Sequence, residues 1–230
     1  TVVVGVQHVL ARHCLMSALP RFHAKHPEIR IDVHDFSRAT DEQVQGVDVF
    51  LVLGWPQTGD LVRRRIGQPR YTVCAAPTYW ASHGIPRRPK DLEKHDCLLF
   101  RSIRGTVMDL WAFQRGKERE AVAVGGWLVT SNAHRDISVE AALAGQGVVR
   151  MIDFMHREHV QAGRLVPALT DWDSTDVPPV NLLYRPSCRR IPRARVFIDF
   201  LVALFGDLGG ARNQEIVPSA RPAWSGRHFG

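Results

Sequence analysis

The side chains best equipped for chemistry in this sequence are histidines, cysteines and arginines, and their spacing points to binding more than to catalysis. His8, within Gln7-His8-Val9, directly follows a short apolar run; its imidazole donates hydrogen bonds and, once protonated, attracts anions. A lone histidine is also commonly structural or simply exposed, and both readings stand for His8. His13-Cys14 lie nearby, but ligands one and five residues apart form no recognised zinc arrangement, so no metal is expected. Cys14, Cys74, Cys97 and Cys188 are scattered without a close pair, which suits buried or surface thiols in a reducing cytoplasm. The sequence contains no Gly-x-Ser-x-Gly elbow, P-loop or His-Glu-x-x-His motif, and no histidine has a readable nucleophile partner. Enzymatic turnover is therefore not expected. The net charge of +7 favours anionic partners, nucleic acid among them. The arginines are dispersed in short groups, however, as in Arg63-Arg64-Arg65, Arg87-Arg88 and Arg189-Arg190. Without interleaved aromatics or a reading helix, this is the pattern of a solvated basic surface.

These residues need a scaffold. The chain has 230 residues, 45% hydrophobic and 23% charged, enough for one large domain or two small lobes. No apolar stretch approaches the roughly 18–20 residues of a membrane-spanning helix. The apolar start lacks the basic leader and small-residue cleavage site of a secretory signal. Val2, Val3, Val4 and Val6 predict a strand covered on both faces in a parallel sheet. Leu15, Ala18, Leu19 and Phe22 place one apolar stripe on a helix over 10–25, with Pro27 at its exit. Ile29, Ile31 and Val33 alternate as a second strand, a short helix fits 41–45, and 47–53 reads as a third buried strand. This β-α-β-α-β order predicts right-handed crossovers and a ligand crevice at the strands' carboxyl ends, in loops that begin near Gln7 and Phe36.

Further strands are predicted over 61–66, 71–75, 97–100, 110–113, 121–129, 148–151 and 180–184, with a polar turn at 115–119. Helices are expected from Pro77, up to Gly145 with Ser131 or Asn132 as cap, and from Pro192 with Phe197, Phe200, Leu201, Leu204 and Phe205 on one face. The Gly-, Pro-, Arg- and Ser-rich stretch beyond Gly209-Gly210 lacks periodicity and is expected to be a flexible tail, 211–230. No repeat of fixed period is present.

Several phrases, in order, carry a family resemblance. They begin with Leu19-Pro20-Arg21-Phe22, His26-Pro27-Glu28 and Gly46-Val47-Asp48-Val49, and continue through Leu61-Val62-Arg63-Arg64-Arg65-Ile66-Gly67 and Cys74-Ala75-Ala76-Pro77-Thr78-Tyr79-Trp80. His83-Gly84-Ile85-Pro86, Asp91-Leu92, His95-Asp96-Cys97-Leu98, Ala144-Gly145-Gln146-Gly147-Val148, Gly163-Arg164-Leu165-Val166 and Tyr184-Arg185-Pro186-Ser187 through Phe200-Leu201 complete the series. Over about 2–205 the chain resembles the effector-binding domain of LysR-type transcriptional regulators. The resemblance implies an α/β fold of two Rossmann-like lobes, similar to type II periplasmic binding proteins, with a ligand cleft between them. The first lobe would comprise 1–72 and 176–210, and the second 73–175. It further implies a small-molecule effector, no cofactor, and a homodimer that becomes a tetramer in the full-length protein; the hydroxyls, helix-start amides and cations of the cleft loops, beside Phe36 and Ile103, favour a small carboxylate as that effector. DNA would be bound only through an N-terminal helix-turn-helix absent from this chain, in the cytoplasm and away from membranes. A periplasmic-type solute-binding protein is the alternative, opposed by the missing secretory signal and by the family phrases.

The resemblance also places the candidate effector contacts. Gln7 and His8 stand where relatives usually carry small or hydroxyl residues whose backbone N–H groups meet a ligand carboxylate. Phe36 and Ser37 occupy the second-strand loop; Ser37 is the favoured polar contact or else a helix cap, and Phe36 is core or an apolar wall. Arg101, Ser102, Ile103 and Arg104 follow a second-lobe strand, and Thr130, Ser131 and Asn132 precede a helix whose start would point inward, as a cap, an anion site or both. Arg150 replaces a usually apolar residue. It would bind a carboxylate in the cleft, turn outward, or pair with Asp153 or Asp173.

Overall fold

The computed structural model describes residues 1–36, 46–54, 60–102, 105–208 and 214–216. The short helix expected over 41–45 lies outside them. Strand β1 (Val2–Val6) is the reason the first sheet is parallel at its centre: it pairs in parallel with β2 (Ile31–Asp35) on one side and β3 (Val49–Leu53) on the other. With partners on both edges, and with Val2, Val4 and Val6 in one apolar cluster and Val3 packed against another, only a nearly continuous apolar run satisfies it. Gly5 is required by packing. A Cβ there would meet the Phe50 ring at 2.7 Å.

The helix that follows, α1, is α-helical over His8–Leu10, π-helical over Ala11–Leu15 and α-helical again over Met16–Lys25. Leu15, Ala18 and Phe22 are buried as their spacing predicts, with Leu19 half-buried. The π-turn was not legible in the sequence. Five residues span about 1.4 turns of α-helix, but close to one full turn where hydrogen bonds run i to i+5. The wide turn therefore brings His13 round toward the side that carries His8 and Arg12.

Strand β13 (Val180–Tyr184) pairs antiparallel with β3, and β4 (Val62–Gly67) pairs antiparallel with β13 in turn, giving the order β14-β4-β13-β3-β1-β2. Its outer strand β14 (Gln214–Ile216) pairs with β4, so part of the segment expected to be a flexible tail is ordered against an otherwise open sheet edge. Helix α5 (Pro192–Leu208) buries Ala194, Phe197, Ile198, Leu201 and Phe205 at helical spacing. Phe197 and Phe200 meet Phe22 of α1 at ring separations of 5.1 and 5.0 Å.

The second lobe is built on a five-stranded sheet, β11-β5-β10-β6-β9, from β5 (Tyr71–Ala75), β6 (Cys97–Phe100), β9 (Val129–Thr130), β10 (Val148–Ile152) and β11 (Val166–Ala168). Its β5 starts at Tyr71, before the boundary expected after residue 72. A three-stranded sheet, β12 (Asp173–Ser174), β7 (Leu110–Arg115) and β8 (Glu118–Ala123), packs Trp111, Phe113 and Val122 against Tyr79 and Trp80 of α2 (Pro77–His83). The single strand expected over 121–129 is thus two strands in different sheets, and the β7–β8 turn shrinks to Gly116-Lys117. The break has a steric cause: a Cβ at Gly126 would lie 2.1 Å from the Cys97 carbonyl oxygen, so the chain passes flat over β6 there. Helices α3 (Arg135–Leu143) and α4 (Arg157–Gln161) cover this lobe.

The chain crosses between lobes twice, at 68–70 and between β12 and β13, and side chains hold the crossings together. Gln68 accepts from Arg65 (2.6 Å) and donates to the Val177 carbonyl (3.2 Å). Arg150 of β10 grips the second crossing through a bidentate pair with Asp176, at 2.9 and 2.6 Å.

Candidate functional site

The crevice that the parallel strands predict is present at their carboxyl ends. A cleft of about 330 Å³ is lined from the first lobe by Val6, His8, Ala11, Val33, His34 and Asp35, and from the second by Ala133 and His134. That volume suits a small molecule, with apolar walls and a few polar groups to orient it. A second hollow, at the crossings beside Gly67, Pro69 and Phe154, holds about 10 Å³ and is too small for one.

Each wall has a local origin. His8 opens α1 immediately after β1 and is half exposed, at 51%. Gln7 extends the strand and ends it: its carbonyl accepts from Leu10 and Ala11 while its side-chain Oε1 accepts from the Leu53 N–H at 2.9 Å. Gln7 therefore fastens the exits of β1 and β3 behind the cleft. His34 and Asp35 are the last residues of β2, and His34 lies 3.2 Å from Asp32.

On the second lobe, Thr130 is buried with its hydroxyl shared between the Leu99 carbonyl (3.3 Å) and Ser138 (3.0 Å). Ser131 and Asn132 do not cap a long helix directly. A 3₁₀ turn, Asn132–His134, intervenes before α3. Ser131 Oγ bonds His134 Nδ1 at 2.8 Å, and Asn132 Oδ1 accepts from Arg135 at 2.5 Å. Arg135 lies inward over the Phe100 ring at 4.5 Å, and burial pushes its pKa down. The turn thus orients His134 and Ala133 into the cleft, while the predicted Ser131 and Asn132 brace it.

Above the first turn of α3, Asp136 reaches across to α1. It lies 2.9 Å from Arg12 Nη1, 3.5 Å from His13 Nε2 and 3.7 Å from His8 Nε2. The His13 hydrogen bond, opposed by partial burial and helped by the charges of His13, Arg12 and His8, holds the Asp136 carboxyl below the usual carboxylate range.

Of the other sequence candidates, Phe36 is buried against Phe50 with ring centroids 4.6 Å apart, which places it in the core beside the crevice. Arg101 is exposed and donates to the Gly105 carbonyl, and Ser102 brackets the same turn through its backbone. Ser37, Ile103 and Arg104 lie outside the described residues. Arg150 is 4% exposed, and its partner is Asp176 instead of Asp153 or Asp173; Tyr71, Trp111 and Phe113 surround the guanidinium at 4.8–5.6 Å. No group of three or more His, Cys, Asp or Glu side chains among the described residues is placed to hold a metal ion.

Sequence reasoning missed Arg12, His13, His34, Asp35, His134 and Asp136. For His34 and Asp35 a signal existed, since the rule that singles out the loop after a parallel strand applies equally to the strand's last residues. For Arg12, His13 and Asp136 none did: they meet only through the packing of two lobes, 123 residues apart in the case of His13 and Asp136.

Comparison with known proteins fits this geometry. The profile of the LysR substrate binding domain matches residues 1–206. The HTH-type transcriptional regulator YcaN of Escherichia coli K12 is 32% identical over 202 residues, covering 87% of this chain and 65% of that protein. The chain spans 58–65% of the length of this and the next curated relatives, from Pseudomonas aeruginosa and Haemophilus influenzae. Among solved structures, the regulatory domain of CrgA, a LysR-type transcriptional regulator from Neisseria meningitidis, superposes with a TM-score of 0.75 at 26% identity, over 88% of this chain and 96% of that one. Full-length AphB, the virulence activator of Vibrio cholerae, gives 0.74 at 25% identity, over 88% and 67%. With a profile match over nearly all of the described residues and the two-lobed fold of those regulatory domains, the chain belongs to the LysR substrate binding domain family.

Proposed function

We propose that this chain is the effector-sensing part of a LysR-type transcriptional regulator and that it binds a small, carboxylate-bearing molecule between its lobes without transforming it. The observation that carries this reading is the 330 Å³ cleft with walls from both lobes, polar on His8, His34, Asp35 and His134 and apolar on Val6, Ala11, Val33 and Ala133, in which three imidazoles stand against one carboxylate. A ligand touching both walls favours one interlobe arrangement over others, and that differential affinity is what shifts the population. The two crossings, tied by Gln68 and by Arg150–Asp176, are where such a shift is absorbed. Relatives named as HTH-type regulators support a readout in DNA binding, through a helix-turn-helix domain joined to this one. The working unit is a homodimer in the cytoplasm. Its dimerisation is supported by exposed apolar Met16 on α1 and by β2, which is an edge strand of the first sheet.

Thermal-shift screening against small carboxylates, aromatic acids and amino acids, confirmed by calorimetry, tests the reading. Ala133→Trp, which fills the cleft from its half-exposed wall, should abolish binding of any hit while the domain stays folded. Undiminished binding to that variant would place the ligand elsewhere and remove the cleft from the account.

A further inference from the structure

Asp136 sits in the first turn of α3, where a carboxylate complements the positive end of the helix dipole. That local role does not account for its surroundings. Among the described residues, every ion pair that joins α1 to the second lobe converges on this one carboxylate. Its two oxygens are used separately: Oδ1 faces His13, and Oδ2 is shared by Arg12 and His8. Oδ2 is buried without an aligned hydrogen bond, so its attraction to Arg12 is one of charge with unfulfilled geometry. His8 also lines the cleft, and His134, two residues before Asp136, faces it from the opposite wall. An acid entering the cleft therefore meets an imidazole that Asp136 already neighbours, one helical turn from Arg12.

We propose that Asp136 is a resident anion, a carboxylate that occupies the α1 cations in the unliganded domain and exchanges with the carboxylate of the effector, so that binding and release of this interlobe latch are one event. This rests on the cleft reading and narrows it. The two-oxygen, multi-donor arrangement is a template for a planar carboxylate, and Val6, Ala11, Val33 and Ala133 leave the rest of the ligand apolar and small. An acid that takes over Arg12 and His8 frees α3 from α1, which loosens the second lobe from the first at the mouth of the cleft. A neutral analogue of the same shape lacks the charge needed to displace Asp136.

The test uses butyrate as probe, with butyramide as the neutral isostere, at matched ionic strength. Nuclear magnetic resonance follows the Arg12 Nε–H and His13 ring signals together with the Val33 and Ala133 amides. In Asp136→Asn, which keeps the shape and removes the charge, half-saturation by butyrate should fall roughly fivefold, the factor for an ion pair near 1 kcal/mol with one partner, Arg12, exposed. Butyramide should have no effect. Arg12→Gln, at an exposed position that does not threaten folding, should remove the gain in the Asp136→Asn background. Equal half-saturation with and without the Asp136 charge, or no response of Arg12 and His13 in Asp136→Asn, overturns the exchange. If Val33 and Ala133 respond equally in both proteins, the cleft still binds acids and only Asp136 loses its role. If they respond in neither, and no acid in the screening panel binds, the cleft reading falls as well.

Discussion

The Arg150–Asp176 pair allows the sharpest prediction about stability. The Arg150 side chain is 3% exposed and Asp176 is 26% exposed, and the two make a bidentate contact at 2.9 and 2.6 Å where the second crossing meets β10. Asp176→Asn keeps the shape and removes the charge, leaving a guanidinium in a pocket of Tyr71, Trp111 and Phe113. Breaking a buried pair from one side costs about 3–5 kcal/mol. Partial exposure of Asp176 and the remaining cation–π contacts favour the lower end, about 3 kcal/mol. For a domain of this length about 2–4 °C accompany each kcal/mol, so Tm should fall by about 6–12 °C in calorimetry. The double variant Arg150→Met, Asp176→Leu should recover most of the loss, because the penalty lies in the orphaned charge and not in the missing pair. A fall of less than about 2 °C for Asp176→Asn, or a double variant as unstable as the single one, would refute this reasoning.

His156 is 2% exposed, and burial pushes its pKa down, against the attraction of Asp153 and with the repulsion of His159. The unfolded chain then binds a proton that the folded one refuses, so stability should decline as pH falls below about 6.5. Urea melts at two pH values should show that His156→Leu flattens this decline; an unchanged pH dependence would count against it. Burial raises Cys14, Cys74 and Cys97 to about 12, and Cys188 is also raised, so an aromatic disulfide reagent at pH 8 should label all four only after unfolding. Rapid labelling of the native domain would contradict that burial. Gly126→Ala puts a Cβ against the Cys97 carbonyl, a backbone atom that cannot step aside, and should destabilise by about 1–3 kcal/mol while shifting β9 and the 131–134 turn. Native-like stability together with unchanged amide shifts at 129–134 would show that the close approach is not required.

Local pattern was enough for much of this scaffold. Val2–Val6, Tyr71–Ala75, Cys97–Phe100 and Val180–Tyr184 are strands at the predicted residues, because each is an apolar run bounded by turn chemistry. The α5 stripe was likewise visible as helical spacing. What escaped depends on tertiary placement. The two-residue strand β9 exists only because Gly126 lets the chain cross β6, and the π-turn in α1 has no period of its own. The parallel-strand rule pointed to the loop that begins near Gln7 and the family resemblance to His8 within it, and His8 lines the cleft. The turn after Thr130 was legible as an element, but its inward-facing members are Ala133 and His134 instead of the hydroxyl and amide residues before them. Arg150 stood out as a charge in an apolar strand, yet the acids weighed for it in sequence were Asp153 and Asp173, and only the crossing geometry selects Asp176.

Whether a small acid binds between the lobes would be seen in a crystal structure of the domain grown with the first confirmed hit from the acid panel. Ligand density is expected against His8, Val33, Ala133 and His134, touching both lobes, with Asp136 drawn away from Arg12. Density confined to one lobe's outer surface, or a bound ligand with the cleft left as it is here, would contradict it.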